Sequence, residues 1–196
     1  MGENGQFNRK KALLFFWEIA KVVLISLVII VPIRYFLFQP FFVRGASMEP
    51  NFLNGDYLII DEISYRFGDP DRGDVVVFRS PQETSQFFIK RIIGLPGETI
   101  ELDENKVIIR NAERPSGFEL DESVYLPDNQ HTSGNLRIKL DDNEYFVMGD
   151  NRLQSSDSRR WGPVNESYLI GRAVFRAFPF DRFSGLEEPH YRYLNI

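Results

Sequence analysis

The chain has 196 residues, room for one globular domain of ordinary size with a small appended lobe. A composition of 43% hydrophobic and 26% charged residues is that of a folded protein, and a net charge of -5 gives no reason to expect nucleic acid as a partner. The absence of cysteine excludes a disulfide, a thiolate metal site and a cysteine nucleophile, and with only His131 and His190 a histidine metal centre or a Ser-His-Asp triad is hard to assemble.

In chain order, a polar start leads to Arg9, Lys10 and Lys11, which stand directly before an apolar stretch. From 12 to 33 the charges are Glu18 and Lys21, and Val22 to Ile33 is uncharged. That uncharged core is shorter than the roughly 20 residues that cross a bilayer. Glu18 and Lys21, three apart, can pair on one helix face, and Lys21 can snorkel to the interface. A helix over 12–37 would be roughly 39 Å long, enough to span with tilt. Pro32 near its far end can kink it. A buried core helix fits the length and the basic flank poorly, and a cleavable signal peptide lacks a small-x-small site at a sensible distance. Basic residues before the helix and none immediately after it orient the N-terminus to the cytoplasm. The expectation is a cytoplasmic tail over 1–11, a single-pass anchor over 12–37 and an extracytoplasmic body over 38–196.

The body reads as strands. Asp56–Ile60, Asp74–Phe78, Phe87–Ile93, Lys106–Arg110, Tyr145–Met148 and Leu169–Phe178 are short runs rich in β-branched and aromatic residues. Turn residues punctuate them, at 68–73 and 95–98 for example. The segment Glu113–Asn135 is polar and loop-like. The fold class is therefore mainly β: an N-terminal transmembrane helix, then an antiparallel β-sheet domain with a smaller inserted β/loop lobe at about 102–143.

Three clusters could carry chemistry. Ser47 lies in Arg44-Gly-Ala-Ser-Met-Glu-Pro50, where Gly45 permits close backbone approach and Pro50 stiffens the chain. Taken alone, it reads more readily as a capping or turn serine. A nucleophilic serine needs a base. A lysine, at about 10.4 when free, must lose roughly three pKa units, about 4 kcal/mol, to serve near neutrality. Burial among apolar side chains can supply that. Lys90 interrupts the most apolar strand of the body and shares a face with Phe88 and Ile92, while Arg91 points the other way. Lys106 and Lys139 sit in charge-rich strands, where solvation keeps them protonated. Alone, Lys90 also reads as an edge-strand lysine that discourages aggregation. The third cluster runs from Tyr145 to Gly162 and packs Gly149, Asp150, Asn151, Ser155, Asp157, Ser158 and Arg159 into one loop. Its short polar side chains can brace the loop itself or orient a lysine. Asp157 and Arg159 are expected to pair, which keeps the aspartate from drawing a proton onto the lysine.

In this order the clusters resemble the type I signal peptidases, serine proteases with a Ser-Lys dyad. The likeness runs from the anchor to about Arg182. Ser47 with Met48 and Pro50 resembles the nucleophile segment, Arg72–Phe78 the next strand, Lys90–Glu98 the general-base segment, and Gly149–Asn151 with Ser155, Asp157, Ser158 and Arg159 the last signature. The resemblance implies that Lys90 deprotonates Ser47, which removes signal peptides from secreted preproteins after small residues of the Ala-x-Ala type. It implies that Ser155 hydrogen-bonds and orients the lysine, and that the Ser47 backbone N–H is one oxyanion donor. Some members add a serine side chain two positions before the nucleophile; here that position is Gly45, which leaves the second donor unassigned. Phe41, Val43 and Ile89 are expected to line shallow apolar substrate pockets, and Phe36, Leu37, Phe38, Phe41 and Phe42 to form an apolar surface that meets the lipid bilayer. No cofactor and no metal is expected.

The self-cleaving repressor-type Ser-Lys proteases share the dyad but are soluble and carry a DNA-binding module. A Ser-x-x-Lys motif is absent around Ser47 and Lys90, and Glu49 stands where a Gly-x-Ser-x-Gly elbow needs its second glycine. The non-enzymatic alternative is an anchored β-module.

Overall fold

The computed structural model describes residues 3–36, 38–103, 105–127, 129–186, 191 and 193–195. It divides into two compact units, Met1–Gln39 and Pro40–Ile196. The first is built on one helix, α1 (Glu3–Phe36). It starts earlier than expected because Glu3, Gln6, Arg9 and Lys10 are good or neutral helix formers that continue the turn beyond the apolar stretch. It also runs past Pro32, and Leu37 lies outside the described residues. Over Lys11–Val31 the helix is long and apolar enough to cross a membrane, and its large apolar side chains are 44–71% exposed within the chain. A soluble environment would have to hydrate all of that surface, whereas lipid solvates it. The helix is thus suited to act as a membrane anchor. Lys21 donates to Glu18 at 2.7 Å, the pairing that the spacing suggested.

The strands among the described residues are β1 (Phe38–Phe42), β2 (Tyr57–Asp61), β3 (Val75–Arg79), β4 (Phe87–Gly94), β5 (Thr99–Asp103), β6 (Lys106–Arg110), β7 (Phe118–Leu120), β8 (Leu136–Lys139), β9 (Glu144–Met148), β10 (Val164–Asn165), β11 (Leu169–Phe178), β12 (Ser184–Gly185) and β13 (Tyr193–Asn195). The larger sheet has the order β1-β2-β11-β3-β4-β9-β10, with β12 paired to β11. The smaller has the order β13-β7-β6-β5-β8. All the strand pairs with a defined register are antiparallel.

The period-two alternation sorts the core. On β4, Phe88 and Ile92 pack with Val76, Phe78, Val147 and Val164 on one face. Ile89 and Ile93 belong to the other, with Val43, Met48 and Val77 around Ile89 and with Ile100, Phe118, Phe146 and Met148 around Ile93. The segment Glu113–Asn135, expected to be a loop, contains β7. Phe118 and Leu120, each 3% exposed, flank Glu119 and close the smaller sheet's core. Three residues are too few to display a period in the sequence.

Candidate active site

β4 is an interior strand, bonded to β3 on one side and β9 on the other. Lys90 is therefore not an edge lysine. It pairs with Val76, and β9 begins to pair with β4 only at Arg91, opposite Met148. Lys90 thus sits where β9 ends and the loop of the third cluster leaves the sheet. Its side chain is 4% exposed. Burial lowers its pKa to about 8, against the opposing pull of the Asp157 and Asp150 charges. Of the other lysines of the body, Lys106 is exposed and paired with Glu119, and Lys139 is exposed.

Lys90 Nζ lies 2.7 Å from Ser47 Oγ, in hydrogen-bonding geometry, and 2.8 Å from the Ile89 carbonyl. Ser47 is brought there by a tightly held turn. Val43 exchanges backbone hydrogen bonds with Asp56 (2.9 Å) and Gly55 (3.0 Å). Gly45 then turns the chain with φ = +87°, in the left-handed region that favours glycine. Met48, 1% exposed, plugs the turn into the core, and Phe52 N–H donates to the Met48 carbonyl. Asn151 grips the turn from the third cluster: its N–H donates to the Ser47 carbonyl and its Nδ2 to the Ala46 carbonyl, both at 3.0 Å. The Ser47 N–H makes no hydrogen bond among the described residues. The Gly45 N–H is already committed to Asn54 Oδ1 at 3.0 Å, so it is not available as the second oxyanion donor.

Asp157 and Arg159 pair as the sequence suggested, through Arg159 Nε (2.8 Å) and Nη2 (2.9 Å). Arg159 Nη2 also ties to the Arg152 carbonyl, and Asp157 accepts the Gly149 N–H at 3.0 Å. Burial pushes the Asp157 carboxyl up, but the Arg159 hydrogen bonds and charge outweigh it and hold the carboxyl below its ordinary value. The aspartate nevertheless remains the foremost charge drawing Lys90 upward, so its pairing weakens that pull without abolishing it. Ser155 is 6% exposed, and its Oγ makes no well-formed hydrogen bond among the described residues. The expected bond from Ser155 to Lys90 is not formed; the lysine's contacts go to Ser47 and Ile89 instead. Ser155 contributes at longer range to the depressed Asp157 pKa. Its side chain occupies the space where a Cβ on Gly149 would lie.

Several supporting residues escaped the sequence reading. Arg91, noted there only as unfit to be a base, forms a buried two-point pair with Asp150 (2.9 and 2.7 Å) and donates to the Gly73 carbonyl. Burial works against its charge, and the charge and hydrogen bonds of Asp150 prevail, raising the guanidinium pKa. Asn51 bridges Asp150 to the Tyr125 carbonyl, 2.8 Å to each. Arg152 has a fully buried side chain bonded to the Gly149 carbonyl, Glu122, Thr132 and the Tyr125 hydroxyl. The one available signal was the density of charged residues next to Gly149, which says nothing about partners so distant in sequence.

A groove of about 580 Å³ opens beside Ser47 and Lys90, and Phe41, Val43, Val77 and Ile89 are among its lining residues. The three expected pocket residues do meet there. Phe41 and Phe87, both in its lining, stack edge to face at 5.7 Å. His131 is exposed, and His190 lies outside the described residues. The arrangement is a hydroxyl and a buried amine in contact, beside an apolar groove, with a free backbone N–H on the hydroxyl residue. That set is suited to acyl transfer by a serine.

Comparison with known proteins gives the family. The sequence profile of the family described as signal peptidase, peptidase S26, matches residues 16–178. A probable signal peptidase I-1 of Synechocystis is 35% identical over 181 residues, covering 87% of this chain and 88% of that one. Signal peptidase I P of Bacillus subtilis subsp. natto is 37% identical over 185 residues, covering 89% and 95%. The crystal structure of a signal peptidase I from Enterococcus faecalis aligns with 54% of this chain and 97% of its own, at 29% identity and a TM-score of 0.44. The chain belongs to the signal peptidase family, peptidase S26.

Proposed function

We propose that the chain cleaves signal peptides from secreted preproteins by a Ser47–Lys90 dyad, cutting after small residues of the Ala-x-Ala type. The observation that carries this reading is the 2.7 Å contact between Ser47 Oγ and a lysine that burial holds at about 8. Neutral Lys90 accepts the Ser47 proton as Oγ attacks the scissile carbonyl, then returns it to the leaving amine. The Ser47 N–H receives the oxyanion. Since Gly45 N–H is bonded to Asn54, the second donor is another backbone group or a water. Asp157 and Arg159 are positioning residues that brace Gly149 and the loop. Ser155 is a third, poised to meet the lysine once Ser47 has lost its own contact with it. The preprotein lies extended in the groove, with its small side chains toward Phe41, Val43 and Ile89.

The anchor is residues 12–37, single-pass in the bilayer, with 1–11 cytoplasmic and the catalytic body 38–196, including the lobe at about 102–143, outside. Purified protein in detergent is expected to cut a preprotein after Ala-x-Ala. Ser47→Ala and Lys90→Ala are each expected to abolish cutting, and thiol reagents and chelators to leave it intact. Cleavage that survives Lys90→Ala would remove the dyad.

A further inference from the structure

The segment from Phe41 to Arg44 alternates in burial. Phe41 is half-buried, Phe42 is 55% exposed, Val43 is 4% exposed and Arg44 is exposed. An extended backbone puts Phe42 and Arg44 on one side and Phe41 and Val43 on the other. The backbone polar groups alternate in step. Val43 spends its N–H and its C=O on Asp56 and Gly55, so those of Arg44 point the opposite way, and Arg44 itself borders the groove. Neither joins a hydrogen bond among the described residues. They are free to form a ladder with an added strand.

The Arg44 side chain is equally uncommitted, with no ion pair, hydrogen bond or ring contact among the described residues. Among the described residues, the charged ones lining the groove are Arg44 and Lys90, and no carboxylate lines it. A peptide in this groove therefore meets an unbalanced cation on the face opposite the apolar pockets. If two small side chains of an Ala-x-Ala segment point toward Val43 and Ile89, the middle residue points to the face of Phe42 and Arg44.

Resting on the reading of the groove as the signal-peptide site, we infer that Arg44 is a specificity-determining residue that favours a carboxylate side chain at that middle position, one residue before the scissile one. The interaction is an exposed cross-strand charge pair, so it selects among substrates rather than creating affinity.

The test uses three peptides identical except for Glu, Gln or Lys at the middle position. For the wild type, kcat/KM is expected to fall in the order Glu, Gln, Lys, with about a three- to tenfold span that narrows in high salt. Arg44→Gln is expected to bring the Glu-to-Lys ratio close to one, and Arg44→Glu to invert it. Each readout is a ratio within one enzyme, so a general loss of activity cancels. A wild-type ratio near one, or a ratio that persists in Arg44→Gln, overturns the inference while leaving the peptidase reading intact. If the wild type fails to cut even the Gln peptide, the peptidase reading falls and the inference with it.

Discussion

Gly149 is the tightest point of the site, and replacing it with alanine tests whether the loop sets the position of the nucleophile. A Cβ there would lie 2.3 Å from the Ser47 carbonyl oxygen, 2.3 Å from Ser155 Oγ and 2.6 Å from Ser155 Cβ. Comfortable contact between such atoms needs about 3.5 Å, so the neighbours must retreat by about 1 Å. Ser155 has no hydrogen bond to lose and can rotate. The Ser47 carbonyl cannot yield so easily, because it accepts the Asn151 N–H at 3.0 Å and Met48 anchors the next residue in the core. Relief therefore has to shift the loop and the Ser47 turn against each other, and a misplacement of the nucleophile by about 1 Å costs on the order of 100-fold in rate. The accompanying loss of stability, from overpacking, is about 1–3 kcal/mol. Steady-state kcat/KM on a preprotein, alongside urea unfolding of the same preparation, separates the two effects. A Gly149→Ala enzyme within about threefold of wild type, under about 1 kcal/mol of barrier, would refute the reasoning.

Three further outcomes follow from the supporting residues. Asp150→Ala leaves the buried Arg91 guanidinium without its counter-charge and is expected to cost about 3–5 kcal/mol in urea unfolding; a loss within experimental error would contradict the pairing's role. Asp157→Asn removes the foremost charge that raises Lys90, so the acidic limb of kcat/KM is expected to move to lower pH; a limb that moves upward would show the sign to be wrong. The Asp157 carboxyl is held below its ordinary value, so it stabilises the fold above about pH 4, and the stability deficit of the Asn variant is expected to shrink as pH falls through the carboxyl's depressed folded-state pKa. Ser155→Ala deletes a hydroxyl that makes no well-formed hydrogen bond among the described residues and acts only weakly on Asp157, so its unfolding free energy is expected to stay within about 0.5 kcal/mol of wild type while kcat/KM falls. An unchanged rate would end the positioning role assigned to it.

Much of the architecture was legible because the strands carry β-branched and aromatic runs bounded by turn residues, and the anchor is set off by its basic flank. Lys90 stood out for a local reason: a lysine inside Phe87–Ile93 must be either at an edge or buried. Deciding between the two required β9, whose Met148 pairs with Arg91 from far along the chain. The same limit hid the grip of Asn151 on Ser47 and the bond of Arg152 to Glu122, since neither leaves a periodic trace. β7 was missed because three residues show no pattern. The sequence left Gly45 doubtful because it lacks a serine side chain; it could not show that Asn54, nine residues on, takes the Gly45 N–H.

The central claim is that a neutral Lys90 activates Ser47, and the pH dependence of kcat/KM on a preprotein tests it most directly. The folded pKa of Lys90 lies below that of a free lysine, so the active, neutral form gains population as pH rises through it. The account predicts a single acidic limb with an apparent pKa near 8, leaving about one enzyme in ten active at pH 7. A limb near the ordinary lysine value of about 10.4, or a rate independent of pH from about 6 to 9, would contradict it.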